Sequence, residues 1–150
     1  MMRATSALVL AIVLFAGCAS MRSDMSTLPT NVTWAAMPVF PGAKTAALQG
    51  NPAQPGPFVY RVWFPADFKV PAHFHPAVEN VTVLSGTFHV GMGDKLDPAK
   101  GERLTAGSFI SVPVGHRHYA WTSSETVIQV HGVGPTSITF VNAADDPRRR

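Results

Sequence analysis

The stretch "HFHPAVENVTVLSG" at residues 73–86 holds two histidines and one glutamate ahead of a β-prone run. In a strand, side chains two residues apart point to the same face, so His73 and His75 can present both imidazoles to one interior. Glu79 keeps the same parity, and Pro76 is expected to bend the chain between them. We therefore predict one bent strand that directs three metal-binding groups inward.

The chain around this stretch is a series of short β-prone runs bounded by turn residues. These runs lie at residues 44–48, 58–64, 80–85, 87–92, 108–114, 116–122, 126–133 and 137–142. Runs of this length and spacing are typical of an all-β sandwich or barrel. The polar segment 93–107, which contains Pro98 and Gly101, is predicted to be a loop with at most one turn of helix.

The N-terminal sequence "MMRATSALVLAIVLFAGCAS" predicts export. It has one arginine, then an apolar run and then small residues, which is the layout of a signal peptide over residues 1–19. "LFAGC" also resembles the lipobox of bacterial lipoproteins, with lipidation at Cys18, and simple cleavage after Ala19 is the alternative. We expect a periplasmic or outer-membrane lipoprotein, or alternatively a secreted soluble protein.

Composition then divides the remaining chain. Residues 20–57 are rich in Ser, Thr, Pro, Gly and Ala and are predicted to form a flexible tether and lead-in, followed by one domain over 58–143 and a charged tail over 144–150. No basic stripe with interleaved aromatic residues is present, which argues against a nucleic-acid partner. Cys18 is the only cysteine, so the domain has no disulfide and no cysteine ligand.

At this point the sequence resembles the cupin family, whose first motif is G-x5-H-x-H-x3,4-E-x6-G and whose second is G-x5-P-x-G-x2-H-x3-N. The first motif is matched by His73, His75, Glu79 and Gly86. The second is matched in "GSFISVPVGHRHYAWT" by Gly107, Pro113, Gly115 and His118. The sequence departs from the motifs at two structural positions, where Asp67 replaces the first glycine and Thr122 replaces the last asparagine.

The resemblance implies a double-stranded β-helix, or jelly-roll, barrel in which His73, His75, Glu79 and His118 hold one metal. Strand parity alone leaves His116 and His118 as alternatives, because they are two residues apart, and the motif selects His118. Three imidazoles and one carboxylate suit Fe(II), Mn(II), Ni(II), Zn(II) or Cu(II), and a six-coordinate metal would keep two positions open.

Other ring-bearing residues have weaker assignments. Three aromatic residues have the opposite parity to the ligands and are expected to point away from the metal: Phe74, Tyr119 and Trp121. Three more are alternatives between pocket wall and core packing: Tyr60, Phe64 and Phe88. His89 can face either the pocket or solvent, and His131 has no assigned role.

The ligand set favours a metal-dependent, dioxygenase-like oxidoreductase acting on a small organic substrate. Two other classes stay open, because fold does not decide function. One is a non-catalytic small-molecule or metal-binding module, and the other is a metal-assisted isomerase or lyase. A membrane contact is expected only through the N-terminal lipid, and a homodimer is compatible with the resemblance.

Overall fold

The computed structural model of the chain describes residues 26–149, so the predicted signal peptide and Cys18 lie outside the described residues. Within that range the chain forms strands joined by turns and four 3-10 helices of three residues each. The strands are β1 (Ala35–Ala36), β2 (Lys44–Gln49), β3 (Gly56–Phe64), β4 (Lys69–Phe74), β5 (Glu79–Ser85), β6 (Thr87–Met92), β7 (Glu102–Thr105), β8 (Phe109–Val112), β9 (His118–Thr122), β10 (Thr126–Gly134) and β11 (Thr139–Phe140). Among residues 26–149, no helix is long and apolar enough to cross a membrane.

The strands form two sheets that face each other. One has the order β1-β2-β3-β10-β5-β8 and the other β11-β4-β9-β6-β7, and the ladders between neighbouring strands are antiparallel, as between β10 and β5. Strands that follow one another in the chain often belong to opposite sheets, as β4 and β5 do. The all-β prediction and the jelly-roll barrel are confirmed.

Eight of the strands follow the β-prone runs of the sequence, and three lie outside those runs: β1, β4, which carries His73 of the predicted bent strand, and β7. The segment 93–107, predicted to be a loop, contains a 3-10 helix at Pro98–Lys100 and also β7, which pairs with β6 at the edge of its sheet. Part of the segment assigned to the lead-in is also sheet, because β1 pairs with β2 and β2 with β3.

The core lies between the two sheets and is built by alternation. Along β10, Thr126, Ile128 and Val130 are buried, while the residues between them are half-buried on the outer face. The inner faces bring together a set of apolar side chains that includes Phe40, Phe58, Val62, Phe64, Val70, Val81, Val83, Phe88, Val90, Leu104, Ala120 and Phe140. Because this interior is closed on both faces, polar groups inside it need partners.

Four turn positions of the cupin motifs have positive φ angles. These are Asp67 at 58°, Gly86 at 79°, Gly107 at 88° and Gly115 at 73°. Asp67 thus has the left-handed conformation that a glycine adopts most easily, and a short polar side chain tolerates it better than most. The departure at this position is therefore compatible with a left-handed turn residue.

Candidate metal centre

Three histidines meet at one end of the barrel because two neighbouring strands bring them into register. His73 near the end of β4 pairs directly with His118 at the start of β9, and their ring centroids are 4.2 Å apart. His75 follows just after β4, with its ring centroid 5.0 Å from that of His73. All three imidazoles therefore come from the same end of two neighbouring strands.

Glu79 comes from the opposite sheet. It is the first residue of β5, and its carboxylate Oε2 lies 3.3 Å from Nε2 of His118 and 3.6 Å from Nε2 of His75. The predicted single bent strand is therefore wrong. The chain leaves one sheet after Phe74, passes Pro76, which cannot donate to a ladder, and enters the other sheet at Glu79.

Each imidazole has its Nδ1 atom within hydrogen-bonding distance of a backbone carbonyl. The acceptors are the carbonyls of Pro71 for His73 at 2.8 Å, Ser137 for His75 at 2.8 Å and His116 for His118 at 3.0 Å. A carbonyl only accepts, so each Nδ1 must carry the proton and donate. This arrangement orients the rings and leaves each Nε2 available, as is typical of histidines that bind metals.

The donor atoms are close enough to share one ion. Ligand atoms of His73, His75 and His118 all lie within 4.8 Å of one another, which is comparable to the separation of about 4.2 Å between two nitrogens on opposite sides of a metal. Nε2 of His75 is buried and has no hydrogen-bond partner within the described residues. Such an atom is uncommon in a native interior, and a metal would satisfy it. The residues present therefore fit a divalent metal.

Burial and mutual charge set the protonation of the cluster. Burial lowers the pKa of His73 to about 3, with the neighbouring His118 acting in the same direction, so His73 is neutral at pH 7. Burial also opposes charge on Glu79, but the neighbouring imidazoles, that of His118 above all, hold the pKa of Glu79 below its ordinary value. Burial alone would lower the pKa of His118, yet the same carboxylate raises it.

The structure thus brings the four predicted residues together and separates them from the other histidines. His116, the alternative to His118, has an exposed side chain and contributes only its backbone carbonyl. His89 stacks on Trp121 with ring centroids 4.7 Å apart, and His131 stacks on Phe109. Neither of these two lines the interior next to the cluster.

Residues 26–144 match a family model described as "Domain of unknown function (DUF4437)". Solved structures of cupins share the fold described above. This chain belongs to the DUF4437 family and has the cupin fold. No curated protein sequence matches it.

Three solved structures illustrate the fold similarity. An RmlC-like cupin from Shewanella frigidimarina NCIMB 400 is 21% identical with a TM-score of 0.59, covering 74% of this chain and 91% of that one. The polyketide cyclase RemF from Streptomyces resistomycificus is 18% identical with a TM-score of 0.65, covering 81% and 88%. A salicylate 1,2-dioxygenase from Pseudaminobacter salicylatoxidans is 15% identical with a TM-score of 0.55, covering 69% and 32%. At these identities the similarity shows the fold.

The cluster of this cupin lines a cavity of about 190 Å³ between the sheets. Tyr60, Phe64 and Phe88, for which pocket wall and core were alternatives, all line it, whereas Phe74, Tyr119 and Trp121 do not. The outward orientation of those last three aromatic residues is therefore confirmed.

Sequence reasoning did not anticipate the three backbone carbonyls that orient the imidazoles. Those of Pro71 and His116 each lie two residues before the histidine that they hold, whereas that of Ser137 lies 62 residues after His75. Because any residue type offers a carbonyl, no sequence signal marks these positions.

Proposed function

We propose that this cupin binds one divalent transition metal through His73, His75, Glu79 and His118, and that it is a metal-dependent enzyme. The observation that carries the proposal is the convergence of three imidazoles, each oriented through Nδ1, and one carboxylate at the wall of a cavity. A metal at this place would also satisfy the otherwise unpaired Nε2 of His75.

The proposed reaction is a dioxygenase-like oxidation of a small organic substrate. A bound metal of this ligand type polarises oxygen-containing ligands and leaves coordination positions open. The residues of the chain do the rest: Glu79 supplies the negative charge that offsets part of the metal's charge, and the carbonyls behind the imidazoles keep the donor atoms aligned. The apolar walls exclude bulk water from the substrate. The fold of a salicylate 1,2-dioxygenase is the same, so the fold is compatible with this reaction class.

Metal binding is tested first, with a matched pair of histidine variants. His118→Ala removes a buried ring of the cluster, while His116→Ala removes an exposed ring two residues away and keeps the carbonyl that orients His118. Elemental analysis of protein purified without chelators should find about one metal per chain in the parent and in His116→Ala, and much less in His118→Ala. Equal metal content in both variants, or none in the parent, would refute the site.

The reaction class is tested next on the metal-loaded protein. Oxygen consumption is measured with phenolic and small carbonyl compounds, using the same two variants. Substrate-dependent uptake in the parent and in His116→Ala, and its loss in folded His118→Ala, is the expected result. Turnover without oxygen uptake would point instead to an isomerase or lyase, and ligand-induced stabilisation without turnover to a binding module.

The location of the protein is a separate proposal that rests on the N-terminal sequence alone. We infer export to the cell envelope with lipidation at Cys18. The expected result is a membrane-fraction protein whose mature N-terminal peptide carries a lipid mass, and Cys18→Ser should release the protein into the soluble fraction. An unmodified N-terminus at Ser20, with no lipid, would support simple cleavage.

A further inference from the structure

The cavity beside the cluster is almost entirely apolar. Its lining combines apolar side chains of both sheets, among them Val62, Val81 and Val130 from one sheet and Val70, Phe88 and Ala120 from the other, with others from the connecting segments. Among the lining residues that the structure describes, the four cluster residues aside, only Tyr60, Thr136 and Ser137 have polar side chains. A ligand that fills this space must be largely apolar, because each unpaired hydroxyl of a sugar-like ligand would lose its hydrogen bonds to water.

The size of the cavity narrows the ligand further. Its volume is about 190 Å³, and an apolar cavity of about 150 Å³ is known to take up benzene. The space therefore fits a single ring with one or two small substituents. Nucleotides, oligosaccharides and long acyl chains are too large or too polar for it.

Tyr60 is the polar group that lies away from the cluster. It belongs to the inward face of β3 together with Phe58 and Val62, and its ring stacks on Phe58 with centroids 5.8 Å apart. In register, Tyr60 pairs with Val130, and Val130 with Val81, which lies two residues beyond Glu79 on the same face of β5. The backbones of Tyr60 and Val81 are thus two strand spacings, about 10 Å, apart within one sheet, and Glu79 lies two residues further along β5.

The Tyr60 hydroxyl is a free donor. It makes no hydrogen bond within residues 26–149, and burial, aided by the charge of Glu79, raises its pKa well above the ordinary value for tyrosine, so the phenol stays protonated. The other tyrosine of the chain provides a contrast, because the Tyr119 hydroxyl donates to the carbonyl of Asp97 at 3.1 Å outside the cavity. Because Tyr60 lines the cavity, its hydroxyl can donate to a ligand that occupies this space.

We propose that the cavity takes a small aromatic compound that carries an oxygen substituent, and that the Tyr60 hydroxyl positions it by donating a hydrogen bond to that oxygen. This inference deepens the proposed function, since it assigns a substrate class to the same site. Tyr60 acts through binding and orientation, and the ring of the ligand is held by the apolar walls of the two sheets.

The test compares two probes of nearly equal shape, 4-methylphenol and toluene, by calorimetric titration of the full chain. Both are expected to bind the parent protein, 4-methylphenol more tightly. Tyr60→Phe should weaken the binding of 4-methylphenol by about fivefold, which corresponds to one neutral hydrogen bond. The affinity for toluene should stay unchanged. Tyr119→Phe is the matched control and should change neither affinity.

Two results would overturn the inference. One is that neither probe binds the parent. The other is that Tyr60→Phe reduces the affinity for both probes equally, which would assign Tyr60 a packing role. The titrations are run on chelator-treated and on metal-loaded protein. Probe binding in protein that takes up no metal would refute the proposed function but support this inference. Metal uptake and oxygen consumption in the parent, without a selective loss of 4-methylphenol affinity in Tyr60→Phe, would support the proposed function and refute this inference.

Discussion

The two ends of the β4–β9 strand pair differ in whether their buried polar atoms have hydrogen-bond partners within the protein. At one end, His73 pairs with His118, and Nε2 of His75 is buried without a partner within the described residues. At the other end, the buried Thr122 hydroxyl donates to the carbonyl of Pro65 at 2.7 Å and accepts from the backbone N–H of Phe68 at 3.0 Å. The first end leaves polar atoms for a ligand, while the second satisfies them internally.

The satisfied end also contains both departures from the cupin motifs. Asp67 lies in the turn between Pro65 and Phe68, and Thr122 is the residue whose side chain ties that turn to β9. Both departures therefore affect the turn between Pro65 and Phe68 and the hydrogen bonds that attach it to β9. The metal cluster is unaffected, since its three histidines lie at the other end of this strand pair and Glu79 lies on β5. Buried polar groups with missing partners are costly, and proteins tolerate that cost mainly at functional sites.

Replacing Gly86 is expected to have the largest effect on stability. Gly86 lies at the satisfied end with φ 79°, and an added Cβ would clash with the backbone carbonyl oxygen of Glu125, so Gly86→Ala must displace backbone. We expect a loss of at least about 3 kcal/mol in the free energy of unfolding.

Gly115, at the cluster end, is the matched control for this prediction. It has φ 73° but no atom within 4 Å of an added Cβ, so Gly115→Ala should cost only about 1 kcal/mol from the backbone conformation. Denaturant unfolding of both variants measures the difference. Equal losses would show that the two ends are packed alike.

Thr122→Val is expected to have the next largest effect. The substitution keeps the shape of a side chain that is 1% exposed but leaves the Pro65 carbonyl and the Phe68 N–H without their partner. A loss of about 2–3 kcal/mol in unfolding free energy is expected. Thr122→Ser retains the hydroxyl and should lose only about 1 kcal/mol for the missing methyl group. If the serine variant is less stable to unfolding than the valine variant, the Thr122 hydroxyl is not what holds this turn.

Metal binding should stabilise the protein by an amount that does not depend on the turn at the opposite end of the β4–β9 pair. With free metal at 100 times its dissociation constant, the free energy of unfolding should rise by about 2.7 kcal/mol. Thr122 is four residues from His118 along β9, about 13 Å, so the rise should be equal in Thr122→Val and in the parent, since distant sites behave additively. His118→Ala should show no rise. A smaller gain in Thr122→Val would mean that the turn and the cluster are coupled.

The sequence predicted the β class from its short runs, because alternation on inner and outer faces leaves a clear pattern in strands such as β10. It did not predict β7, since Leu104 is the only buried residue among its four and edge strands carry little apolar signal. For the site, parity identified His73 and His75, but it could not separate His116 from His118, because that choice depends on where β9 begins. The placement of Glu79 on the opposite sheet was also out of reach, because it results from long-range topology.

The smallest expected effect is at Asp67, where the turn end departs from the motif's glycine. Asp67 is exposed and has φ 58°, so its backbone conformation, more than its packing, determines its contribution. Asp67→Gly should raise the free energy of unfolding by about 0.5–1 kcal/mol, because a residue without Cβ removes the steric penalty of the left-handed region at some cost in chain entropy. Asp67→Asn should be nearly neutral, and metal content should be unchanged in both. A destabilised glycine variant would mean that the aspartate side chain itself holds the turn, so that this end relies on side-chain bonds at Asp67 as well as at Thr122.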